Sequence, residues 1–145
     1  MRRARLVIGM VAWTMVMPIL KRLLPLRALA RLMWRSPRLR ERDPKREAEV
    51  VALVDALFRH GRLPRRHNCL ERSLIMYRYL SSLNAAPALI VALNRDSQTI
   101  HGHAWVLVGG KPVAEDQQVM EGLETIVRFG PGGVVEPVSE VGEAS

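Results

Sequence analysis

Residues 67–84 read HNCLERSLIMYRYLSSLN, and residues 103–116 read HAWVLVGGKPVAED. In the first stretch Asn68 and Glu71 stand three apart, the spacing of an N-cap residue and its capping-box partner, so a helix is predicted to begin at Cys69. Leu70, Leu74, Tyr77 and Leu80 continue at helical spacing, and Asn84 is suited to end the helix. The second stretch has strand character from His103 to Val108. Gly109-Gly110 then makes a two-residue turn needing positive φ, and Lys111–Ala114 is the return strand. ALIVAL, residues 88–93, reads as a buried strand between helix and hairpin. A cysteine-initiated helix followed by a small antiparallel sheet implies an α+β fold.

Outward from this centre, Asp43-Pro44 resembles an N-cap followed by proline at the first helical position. That helix is expected to stop at Gly61. Its apolar residues Val50, Val51, Leu53, Val54, Leu57 and Phe58 surround most of the circumference, which implies burial. Leu26–Trp34 is amphipathic, with Leu26, Leu29, Ala30 and Met33 on one face and Arg27 and Arg31 on another. Pro18 and Pro25 are expected to divide the first forty residues into short helices. Ser36-Pro37 and Arg38–Arg46 read as a linker, and the tail beyond the hairpin as mostly loop. The division expected is a basic helical region, 1–42, and a core, 43–145, within one compact domain overall.

Composition narrows the chemistry. The 145 residues contain one cysteine, which excludes an intrachain disulfide framework and any Cys-rich metal site. A lone thiol suits a reducing compartment. Aromatic residues are 5%, too few for the stacking platforms of single-stranded nucleic-acid binders, so no nucleic-acid partner is expected. Residues 1–66 carry 17 Lys/Arg against 5 Asp/Glu, a net +12, while residues 67–145 carry 5 against 9, a net −4. Residues 1–40 hold ten basic side chains and no acid, which suits an anionic partner. Arg2, Arg3 and Arg5 precede an apolar run from Leu6 to Leu20, in the manner of a targeting signal, but no small-x-small cleavage site follows. The run is 15 residues, short of the ~20 that cross a bilayer. A buried first helix, or one lying in a membrane interface, is therefore expected rather than a span.

A thiol becomes nucleophilic when ionised, and the first turn of a helix favours its anion. Cys69 sits there, and the same N–H groups suit an oxyanion. A base is then needed. His60 and His67 lie beside Arg clusters and read as solvated; His101 opens a strand; His103 lies inside the sheet pattern, where packing holds its ring. Across a two-residue turn at 109–110, paired residue numbers add to 219, so His103 faces Asp116 and Glu115 faces Ala104. The candidate constellation is Cys69, His103 and an acid, with Asp116 preferred on this geometry. No metal or other cofactor is expected.

Cys69-Leu70-Glu71-Arg72-Ser73-Leu74, the strand LIVAL, His103-Ala104-Trp105-Val106 and the Gly-Lys-Pro-Val return resemble the lasso peptide biosynthesis B2 proteins, cysteine peptidases with a papain/transglutaminase-like core. The resemblance covers essentially the whole chain. It departs from the common family pattern at Leu107 and Gly109, where polar residues are usual. It implies Cys69 as nucleophile, His103 as base and, by alignment, Glu115 as the acid. It also implies a leader peptidase acting in the cytoplasm on the precursor of a ribosomally made lasso peptide. The implied partners are that precursor, a separate leader-recognition protein and the lasso cyclase. The basic N-terminal helix is a candidate contact with a membrane surface. An acyltransferase using the same thioester chemistry and a non-catalytic leader-binding or cyclase-binding scaffold stay open as alternatives.

Overall fold

The computed structural model describes residues 2–60, 69–94 and 101–138. Four helices come first: α1 (Arg2–Leu23), α2 (Leu26–Met33), α3 (Pro44–His60) and α4 (Cys69–Ser82). A sheet follows, built from β1 (Ala88–Asn94), β2 (His101–Val108), β3 (Lys111–Pro112), β4 (Glu124–Phe129) and β5 (Val135–Glu136), with the short α5 (Gln117–Met120) between β3 and β4. All its pairings are antiparallel, in the order β3-β2-β1-β4-β5. The architecture is mixed helix and antiparallel sheet, as expected.

α4 is the pivot. It begins at Cys69 and ends where Asn84 takes φ 62°, the left-handed conformation that asparagine tolerates. Leu74, Ile75, Met76, Tyr77 and Leu80 are fully buried, because α1, α2 and α3 cover one side of the helix and the sheet the other. Tyr77 donates its hydroxyl hydrogen to the Gly130 carbonyl at 2.6 Å and accepts from the Gly133 amide at 3.0 Å. Gly133 itself presses on the backbone of Ala30, where a Cβ would lie 2.6 Å from the carbonyl, so no larger residue fits. These contacts sew the tail to the helices. Met10, Met17, Leu29, Ala30 and Met33 share one core with Val50, Val54, Leu89, Val106 and Phe129, so the N-terminal helices pack into the same unit as the sheet.

Several sequence expectations are corrected. Pro18 does not break the first helix, which runs unbroken from Arg2 to Leu23. The proline lies on the exposed side, where water can serve the carbonyl left without its helical donor. Nor is that helix buried: of its residues only Met10 and Met17 are. α3 starts behind Asp43, whose carboxylate accepts from the Arg46 amide at 3.3 Å, but it is less enclosed than its apolar residues imply. Val50 and Val54 are buried, whereas Val51, Leu53, Leu57 and Phe58 are half-covered. Gly61 and Asn68 lie outside the described residues. Among its described residues, up to Val138, the tail is not mostly loop. In Glu-Thr-Ile-Val-Arg-Phe, residues 124–129, Thr125, Val127 and Phe129 are the more buried set, and the strand pairs with the free edge of β1.

Candidate active site

Cys69 occupies the first position of α4 and is half-buried. One turn on, Ser73 donates to the carbonyl of Ala104 at 2.9 Å, in a fully buried hydrogen bond. Since Ala104 follows His103 in β2, this bond locks the start of the cysteine helix to the strand carrying the histidine. The His103 ring is stacked on Trp105, with centroids 5.8 Å apart and planes at 28°, which restricts its orientation. On one side His103 lies against the Cys69 thiol, close enough to lower its pKa. On the other, its Nε2 lies 3.1 Å from Glu115 Oε2, leaving Nδ1 for the sulfur.

The structure brings Cys69, His103 and Glu115 together and leaves Asp116 on the wall of the same cleft, bonded to Gln118 rather than to His103. The hairpin register is the expected one, pairing Leu107 with Pro112 and Val108 with Lys111. The arithmetic fails beyond it. The Val113 amide still reaches the Val106 carbonyl, but Ala114 then takes φ 51° and turns the chain off the sheet. Glu115 swings under His103 as a result, with a side chain only 8% exposed. Asp116 becomes the N-cap of α5, accepting from the Gln118 amide at 3.0 Å. The preference for Asp116 opposite His103 is corrected accordingly.

Arg72 holds this arrangement from below. Its Nη1 donates to Glu115 Oε1 at 2.9 Å, and its Nη2 donates to the Ala114 carbonyl at 3.0 Å. Its Nε and Nη2 also meet Asp55 Oδ1 of α3, at 2.8 and 2.6 Å. Each oxygen of Glu115 therefore has its own partner, one Arg72 and one His103. Sequence reasoning gave Arg72 and Asp55 no role. The available signal was the i, i+3 spacing of Cys69 and Arg72, which puts both on one helix face. Glu71 has a partner beyond the capping box, whose Asn68 lies outside the described residues. Glu71 is buried and pairs with Lys21 Nζ at 2.8 Å, tying α4 to α1.

The electrostatics favour a charged pair. Burial is the largest influence on the Cys69 thiol and raises its pKa. The hydrogen bond and charge of His103, with backbone hydrogen bonds at Ala104 and Leu70, outweigh it and bring the thiol below its ordinary 9.0. His103 is pushed up to about 9, first by its bond to Cys69, then by that to Glu115. Both shifts favour the thiolate–imidazolium pair over the neutral one. Alkylation of Cys69 by iodoacetamide, followed across pH, should show a midpoint below 9.0. His103→Ala should raise that midpoint, since the histidine's two contributions vanish while burial stays. Any turnover relying on the imidazolium should fall as pH rises through about 9. An unshifted midpoint in His103→Ala would contradict the pair.

A cleft of about 950 Å³ opens over the three groups, walled by Phe58, Asn94, Glu121 and Leu123. Among the described residues, no cluster of three His, Cys, Asp or Glu side chains is disposed to hold a metal ion. His67 and the side chains of His60 and His101 fall outside the described residues.

A family model described as the transglutaminase-like superfamily matches residues 4–128. The chain belongs to the transglutaminase-like superfamily. The match runs from within α1 into β4, so it takes in the N-terminal helices as well as Cys69, His103 and Glu115. No curated protein and no solved structure matches the chain. The transglutaminase-like superfamily includes cysteine peptidases and acyltransferases, and the geometry described above serves either.

Proposed function

We propose that this transglutaminase-like protein is a cysteine peptidase that hydrolyses the leader–core bond of a lasso peptide precursor. One observation carries the chemistry: thiol, imidazole and carboxylate stand in series in an open cleft, with the thiol at a helix start. The substrate assignment rests on the CLERSL and HAWV segments and on the resemblance they support.

In the reaction, the Cys69 thiolate attacks the scissile carbonyl and the C–N bond breaks. The His103 imidazolium gives its proton to the departing amine, which is the new N-terminus of the core. The leader remains as a thioester on Cys69. Neutral His103 then takes a proton from water, whose oxygen attacks the thioester carbonyl. The free leader acid leaves and the thiolate–imidazolium pair is restored. N–H groups of the first turn of α4 stabilise both oxyanions. Glu115 holds the ring tautomer and the imidazolium charge. The separate leader-recognition protein and the cyclase are the proposed partners.

The superfamily also supports a second reading, in which an amine replaces water in the second half-reaction. Incubation with the precursor, with and without the leader-recognition protein, distinguishes the two by product mass. Peptidase action gives a leader fragment with a free C-terminal carboxylate. An amine adduct on the leader would establish transfer instead, and an uncut precursor under both conditions would contradict both.

A further inference from the structure

The outward side of α1 has no use in the chemistry above. On a helix advancing 100° per residue, Ile8, Met15 and Ile19 fall within about 20° of a single line. They are 67%, 74% and 59% exposed, and Leu23 beside them is 73% exposed. Val11 and Val16 widen the strip. On the opposite side Met10 and Met17 are fully buried, and Leu6, Trp13 and Leu20 beside them are half-covered. The helix is apolar on both sides, yet the protein covers only one.

The charges around the strip name its occupant. Arg5 and Arg22 flank it at its two ends, Arg2 adds to the first end, and α2 presents exposed Arg27 and Arg31 beyond the second; Arg3 is turned instead to Glu49 of α3, 3.6 Å away. No acid occurs in the first forty residues. A second copy laid antiparallel on this strip would set Arg2 and Arg5 against Arg22. A parallel copy would set like ends together. Both are repulsive. Anionic lipid headgroups are complementary to all of these charges, and the acyl layer beneath accepts the strip.

At 22 residues, α1 is also long enough to cross a bilayer. Its inward contacts argue against crossing. Lys21 pairs with buried Glu71, the Trp13 ring lies 4.3 Å from the Arg78 guanidinium, and Gly9 fits against the Tyr79 hydroxyl. Pulling α1 out as a span would break the Lys21–Glu71 pair and take Met10 and Met17 out of the core. We infer that α1 stays docked on α4 and lies in the plane of an anionic membrane surface, with Ile8, Met15, Ile19 and Leu23 entering the lipid. The inference does not rest on the peptidase reading.

Flotation of the full-length protein with vesicles tests it, comparing phosphatidylcholine alone with phosphatidylcholine containing phosphatidylglycerol. The protein should float with the anionic vesicles and much less with the neutral ones. Binding should weaken in high salt and by roughly fivefold for each charge removed in Arg5→Gln and Arg22→Gln. Met15→Glu with Ile19→Glu should abolish flotation while the melting temperature stays unchanged, since both side chains are exposed. Four results would overturn it: no flotation with either vesicle, equal flotation with both, undiminished flotation of the double Glu variant, or bound protein that resists alkaline carbonate. A solution dimer broken by the double Glu variant would assign the strip to a second copy instead.

Discussion

Replacing Cys69 by alanine is expected to lower precursor cleavage by about 10⁶, the scale seen when a protease triad loses its nucleophile. Without sulfur there is no thioester, and His103 loses the partner that most raises its pKa. The fold should survive. Cys69 is half-buried at the first position of α4, and alanine there removes one atom from the cleft lining rather than from the core. The melting temperature should therefore move by no more than a few degrees. Cleavage near the wild-type rate in Cys69→Ala would remove the thiol from the mechanism. Scaffold behaviour, in which leader binding is the whole function, would persist in this variant.

Glu115→Gln should cost about 10²–10⁴ in cleavage rate, whereas Asp116→Asn should leave it nearly unchanged. The amide at 115 keeps the volume but not the charge. It cannot stabilise imidazolium at 3.1 Å, and it can present N–H where the His103 Nε2 proton belongs. Asparagine at 116, by contrast, caps a helix as well as aspartate does. Arg72→Met should fall between these two variants, since Glu115 then keeps His103 but loses the guanidinium that fixes its other oxygen. A larger loss from Asp116→Asn than from Glu115→Gln would reverse the assignment. Full activity in both would reduce the constellation to a Cys–His dyad.

The central elements were readable because their determinants are local. Cys69 opens a helix whose apolar spacing persists for three turns, and Gly109-Gly110 takes φ 58° and 76° and fixes the β2–β3 register. The reading failed where a local rule was extrapolated or a partner lay far along the chain. Nothing in the type of Ala114 marks it for positive φ, yet that residue decides which carboxylate meets His103. β4 was missed because it packs on β1, some thirty-five residues earlier, and its alternation means little until that edge is known. Arg72 was visible as a motif residue, but its role depends on Asp55 from α3 and Glu115 from beyond the hairpin. In α1 the proline rule gives way because Pro18 faces solvent, which the sequence does not reveal.

The covalent intermediate provides the most direct measurement. Acid quenching during turnover of the precursor, followed by intact-mass analysis and peptide mapping, should find the leader fragment joined to Cys69 through a thioester that hydroxylamine releases. Glu115→Gln should show the same adduct at a lower level, formed more slowly. Cleavage that proceeds with no adduct on Cys69, and that continues after the thiol has been alkylated, would contradict the account.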